Sequence, residues 1–139
     1  MGRPRKPKRQ TVANSGRPEC PEHMSDAARD EWDRVCGELE EAGILGRLDR
    51  ALLAAYCEAW EEFVELSVRV RKEGATVETD KGNIVQNPTL GAKNSAAERL
   101  IRIAANFGMS PAARAKLEAV EKSGDELGDF VKPRLVKRG

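Results

Sequence analysis

The sequence predicts a mainly α-helical protomer, with four helices and one short β-hairpin flanked by disordered basic tails. Three observations carry that expectation. Apolar residues recur at spacings of three and four through four separate segments, as amphipathic helices require. Asn87-Pro88 and Ser110-Pro111 each place a capping residue directly before proline, a strong opening signal for a helix. Charge is segregated along a chain whose total is only +1. Residues 1–23 hold six Lys/Arg against two Glu, residues 24–130 hold 14 against 21 acids, and residues 131–139 hold four and no acid. Basic ends around an acidic body suggest ends that reach for a polyanion and a body that meets other proteins.

Residues 1–23 contain Pro4, Pro7, Pro18 and Pro21 with almost no large apolar side chain, and read as an extended, disordered arm. Residues 24–122 read as a helical core and oligomerisation domain, and 123–139 as a C-terminal tail. The first helix is expected to start at the N-cap Ser25, with Asp26 favourable to the helix dipole. Its apolar positions are Ala28, Trp32, Val35, Leu39 and Ala42, and Gly43 ends it.

The second helix spans roughly 48–72 and carries two apolar stripes. One runs Leu48, Leu52, Ala55, Ala59, Phe63, Leu66 and Val70; the other runs Leu53, Tyr56, Trp60, Val64 and Val68. Two stripes are more than one small core needs, so the second stripe is expected to be a subunit interface rather than a second internal face. Gly74 closes this helix. Ala75–Thr79 and Asn83–Asn87 then read as a hairpin around Asp80-Lys81-Gly82-Asn83. A lone hairpin is marginal in water and needs a helix or neighbouring subunit to hold it.

The third helix is expected from Asn87-Pro88, with Leu90, Ala97, Leu100, Ala104 and Phe107 buried and Arg99, Arg102 and Asn106 opposite. Arg99 and Arg102 repel as neighbours, so either an i,i+4 pair between Glu98 and Arg102 or a bound phosphate should compensate. The fourth helix is expected from Ser110-Pro111 to about Val120, followed by an acidic linker opening at Ser123-Gly124.

No catalytic constellation emerges. The sequence has no phosphate-binding loop with Lys-Ser/Thr, no Gly-x-Ser-x-Gly elbow, and a single histidine. The expectation is a non-enzyme without cofactor. Cys20, Cys36 and Cys57 are an odd count without a Cys-x-x-Cys pair, which argues against a disulfide framework. Cys20 and His23 offer two ligands where a closed zinc site needs four, so no metal site is expected. No apolar run reaches membrane-spanning length, and the charged start leads into no apolar leader core, so the chain reads as soluble and intracellular. The aromatics Trp32, Tyr56, Trp60, Phe63, Phe107 and Phe130 are not interleaved with basic residues, unlike a base-stacking platform.

Two segments suggest nucleic acid. Arg3, Arg5, Lys6, Lys8 and Arg9 lie on a proline-stiffened arm, and Gly2-Arg3-Pro4 is similar to the core of an AT-hook. Sequence-independent phosphate contact is the simpler reading of such an arm, and a solubilising tail with no nucleic-acid role is a further one. Residues 103–117 have helix-turn-helix spacing at Ala104 and Gly108, but Arg114 stands where that motif buries an aliphatic side chain. Recognition of a major groove and a structural helical hairpin both remain open there.

In order and spacing, Gly2-Arg3-Pro4, Trp32, Gly43-Ile44-Leu45 with Asp49, Tyr56-Cys57-Glu58-Ala59, Gly74, Asn87-Pro88 and Phe107-Gly108-Met109-Ser110-Pro111-Ala112-Ala113-Arg114 resemble the small subunit of a phage terminase. The resemblance covers nearly the whole chain. It implies a non-catalytic, homo-oligomeric ring in the host bacterial cytoplasm that binds double-stranded phage DNA and recruits or regulates a large ATPase/nuclease subunit. The DNA candidates are then the arm residues Arg3, Arg5, Lys6, Lys8 and Arg9, with Arg99, Arg102, Arg114 and Lys116 as a second set. Leu53, Tyr56, Trp60, Val64 and Val68 are the candidate interface. Leu127, Phe130 and Val131 are a candidate docking segment for the large subunit. The readings set against this one are a dimeric helix-turn-helix regulator or antitoxin-like repressor, and a structural or adaptor protein with no DNA role.

Overall fold

The computed structural model describes residues 16–130, at positions 117, 120, 121 and 125–130 by their backbone alone. Helix α1 (Asp26–Glu41) opens where expected. The Ser25 hydroxyl accepts the Ala28 amide at 3.2 Å and satisfies one of the first-turn donors. It closes at Gly43, whose φ of +69° places it in the left-handed region that favours glycine. There the Gly43 amide returns to Glu40 O and the Ile44 amide to Leu39 O, the paired bonds of a Schellman motif.

A single 3₁₀ turn, Arg47–Asp49, leads into α2 (Arg50–Glu73), and the Asp49 carboxylate accepts the Gly46 amide at 2.9 Å. The core forms between α1 and the first half of α2. Ala28, Trp32, Val35, Cys36 and Leu39 from α1 are buried, as are Leu53, Ala54, Tyr56, Cys57 and Ala59 from α2. Leu53 and Tyr56 are therefore core residues within the protomer, a correction to their assignment as interface. Both stripes were legible as apolar, but periodicity does not say which of them α1 covers. Trp60 is half-buried, and Val64 and Val68, beyond the reach of α1, are exposed.

One polar group sits inside this core. Glu31 is buried and receives Arg34 Nε at 2.9 Å and Nη2 at 2.7 Å, together with the Tyr56 hydroxyl at 3.2 Å. A buried carboxylate demands such partners. Burial, and then the charge of Glu31, push the Tyr56 hydroxyl up to about 12. Burial likewise pushes the Cys57 thiol up to about 12 and raises that of Cys36. These thiols stay protonated and unreactive at neutral pH.

The N-terminal stretch also departs from expectation. Composition predicts an arm that runs to His23, but residues 16–24 join the helical unit. Pro18, Pro21 and Met24 are buried. Arg17 pairs with Asp33, and Arg50 Nε donates to Glu19 O at 2.9 Å. His23 Nε2 lies 2.8 Å from Glu58 Oε1, and Ser25 bonds Glu61. The tether of contacts, rather than local propensity, orders this segment.

Gly74 ends α2 at φ +89°. Strands β1 (Thr76–Glu78) and β2 (Ile84–Gln86) pair antiparallel with Val77 opposite Val85. The turn closes on itself: Thr79 N donates to Asn83 O and Gly82 N to Thr79 O, both at 2.8 Å. What holds the hairpin at its base is Asn87, which is buried. Its amide group donates to Glu73 Oε2 and to Gly74 O, each at 2.9 Å, and its Oδ1 accepts the Thr89 amide at 2.9 Å. Its backbone N–H bonds Ala75 O. One side chain thus joins the end of α2, the hairpin and the start of α3 (Pro88–Asn106). Bonds from Arg69, Asn87 and Thr89 hold the Glu73 carboxyl below its ordinary pKa.

The chain divides into two compact units between Ile103 and Ala104, inside α3. In the second unit Gly108, at φ +65°, ends α3 with a second Schellman motif, in which Met109 N bonds Ala104 O and Gly108 N bonds Ala105 O. Helix α4 (Pro111–Phe130) is ten residues longer than the expected stop at Val120. Gly124 costs an interior helix only about 1 kcal/mol relative to Ala, and Ser123 returns its hydroxyl to Ala119 O at 3.0 Å. Neither residue breaks the helix.

Replacing Asn87 with Ala should lower unfolding free energy by roughly 2–3 kcal/mol, because a cap and buried donors and acceptors lose their partner together. Urea denaturation measures this. The chain has one tyrosine, so its titration is directly readable. A pKa raised from 10 to about 12 means stability that is whole below pH 10 and is lost as pH rises through 12. Absorbance at 295 nm should show no tyrosinate in the native protein at pH 10.5 and a normal transition in urea.

Candidate DNA and assembly surfaces

The Gly-x-Ser-Pro-x-x-Arg segment has a structural explanation within the second unit. Gly108 supplies the left-handed turn. The Ser110 hydroxyl accepts the Ala113 amide at 3.1 Å as N-cap, and Pro111 takes the first helical position. Arg114 Nη1 then reaches back to donate to Gly108 O at 3.2 Å. The arginine where a helix-turn-helix would bury an aliphatic side chain therefore braces the turn. The sequence offered that signal as a mismatch; its meaning needed the reach of a long side chain from the first turn of α4 to the glycine.

The remaining sequence candidates divide by setting. Arg99 pairs with Glu62 of α2. The acid comes from another helix, a partner that helix periodicity does not point to. Arg102 is exposed on α3 and Lys116 on α4. Arg3, Arg5, Lys6, Lys8, Arg9 and Val131 lie outside the described residues. Leu127 and Phe130 fall in the last turns of α4 rather than in an irregular tail.

Exposed apolar side chains mark a surface that the sequence only partly flagged. Val64 and Val68 are exposed on the second half of α2, as is Leu52 on the first half. Ile84 on the hairpin is 77% exposed and Ile101 on α3 is 69% exposed. Ile101 falls off the apolar stripe expected for α3. Between α2 and α3, Phe63, Val64, Val68 and Val70 line an open groove of about 440 Å³ with Arg71 and Lys93. Lys93 Nζ stands 6.0 Å over the Phe63 ring, within cation–π range.

Among the described residues no helix is long and apolar enough to cross a membrane. These features define a small helical protein with exposed apolar side chains on α2, the hairpin and α3. The chain belongs to the phage terminase small-subunit family, whose model matches residues 28–124. That span contains nearly all of α1, then α2, the hairpin, α3 and most of α4. No curated protein and no solved structure matches the chain.

If Arg114 braces the turn, Arg114→Ala should cost about 1 kcal/mol of stability. Lys116→Ala, at an exposed position, should stay within about 0.5 kcal/mol. Parallel urea curves for the two variants distinguish a brace from a surface charge.

Proposed function

We propose that this terminase small subunit is non-catalytic, assembles into a homo-oligomeric ring, binds double-stranded phage DNA during genome packaging, and recruits or regulates the large ATPase/nuclease subunit in the host bacterial cytoplasm. The observation that carries the reading is the exposed apolar surface beyond the reach of α1, on a chain of this family. Trp60, Val64 and Val68, extended by Leu52, form the subunit interface. Leu53 and Tyr56 support it from inside the protomer.

DNA contact falls first to the arm. Arg3, Arg5, Lys6, Lys8 and Arg9 are unaccompanied by any acid within residues 1–15. Several cations of the folded body already serve internal partners: Arg17, Arg34, Arg69 and Arg99 pair with acids, and Arg114 with a carbonyl. Arg99, Arg102, Arg114 and Lys116 are the second set of contacts, secondary to the arm. One arm of five charges binds weakly at physiological salt, but copies displayed together act at high effective concentration. Leu127, Phe130 and Val131 dock the large subunit.

Light scattering should give a mass of many subunits; a dimer would favour the regulator reading instead. The log affinity against log salt slope for duplex DNA should be steep, and deleting residues 1–15 should flatten it. A truncated chain with the full slope would remove the arm from the contact. The deletion stops at 15 because Arg17, Pro18 and Pro21 belong to the fold.

A further inference from the structure

The groove between α2 and α3 has a charge imbalance of its own. Arg69 and Arg99 beside it are paired, with Glu73 and Glu62. Arg71 and Lys93, which line the groove, have no carboxylate partner among the described residues. Its floor is apolar, with Phe63, Val64, Val68 and Val70. A cationic, apolar groove along a helix fits an acidic amphipathic helix, whose apolar positions enter at spacings of three and four.

The chain contains such a segment. Residues 117–131 carry Glu118, Glu121, Asp125, Glu126 and Asp129 against one lysine, Lys122. Leu117, Val120, Leu127 and Val131 fall at helical spacings, with Gly124 completing the row. The backbone through Phe130 is helical. A net charge of −4 against two unpaired cations supplies attraction and register.

We infer that the groove lined by Arg71 and Lys93 receives the acidic segment 117–131 of a second copy of this chain. The inference rests on the proposed self-assembly and names one of its contacts. It also places the large-subunit docking residues Leu127, Phe130 and Val131 in a neighbour's groove, so that the large subunit must draw the segment out to bind it.

The test uses two full-length charge-reversed chains. One carries Arg71→Glu and Lys93→Glu; the other carries Asp125→Lys, Glu126→Lys and Asp129→Lys. Each alone should lose oligomer mass in light scattering while keeping the helical circular dichroism of the unaltered chain. Mixed one to one, refolded from urea together, they should regain the mass of the unaltered assembly, because each groove now meets a complementary segment on the other chain. Pairing within one chain predicts no recovery on mixing, and that result overturns the inference. So does an unaltered mass for either variant alone. A monomeric unaltered chain would instead sink the assembly reading itself.

Discussion

The constraint on which the structure depends is a mismatch of helix lengths. Helix α1 has 16 residues and α2 has 24, about 24 Å against about 36 Å at 1.5 Å per residue. The shorter helix covers only the first half of the longer one. Trp32, Leu53, Cys36 and Cys57 fill the covered half and are almost wholly out of solvent. Past that point α2 keeps its apolar pattern without α1 to cover it. The hairpin, the start of α3 and the groove beside Phe63 all attach to this second half. A small protein that leaves such a surface in water gives up roughly 25 cal/mol for each Å² of apolar area it fails to bury. The proposed self-assembly would recover that energy.

Much of the architecture was legible from local chemistry. Ser25, Gly43, Gly74, Asn87-Pro88 and Ser110-Pro111 act on their own neighbours within one turn, so their reading needs no tertiary information. The hairpin was legible for the same reason. What was not legible depends on long-range partners. The two stripes of α2 are chemically alike, and only the position of α1 decides that Leu53 and Tyr56 are interior. Arg99 finds Glu62 on another helix. Residues 16–24 have the composition of a loose arm, yet contacts to Asp33, Arg50 and Glu58 fix them. The length of α4 was missed because Gly124 is a weak breaker against strong flanking helix formers.

The candidate site was legible as chemistry more than as geometry. The sequence names basic residues, and the structure shows several of them already serving partners within the fold. Arg114 shows the difference: a cation in a motif linked with DNA recognition also holds the turn on which that motif depends. The proposed DNA contact is compatible with this brace, because a guanidinium has five N–H donors and the Gly108 carbonyl takes one. The proposed DNA contact therefore weights the arm over the body. It uses charges that no acid in residues 1–15 offsets.

The hairpin behaves as two parts with different tolerances. Its base is fixed by Asn87 to α2 and α3. Its tip, Thr79 to Asn83, bonds among its own residues, including Asn83 N to Thr79 Oγ1. Chain length can therefore change at the tip without touching the register below it, since closing a somewhat longer loop costs little. That makes the tip a natural grafting point, where an epitope, a fluorophore or a peptide sequence can be carried once per chain.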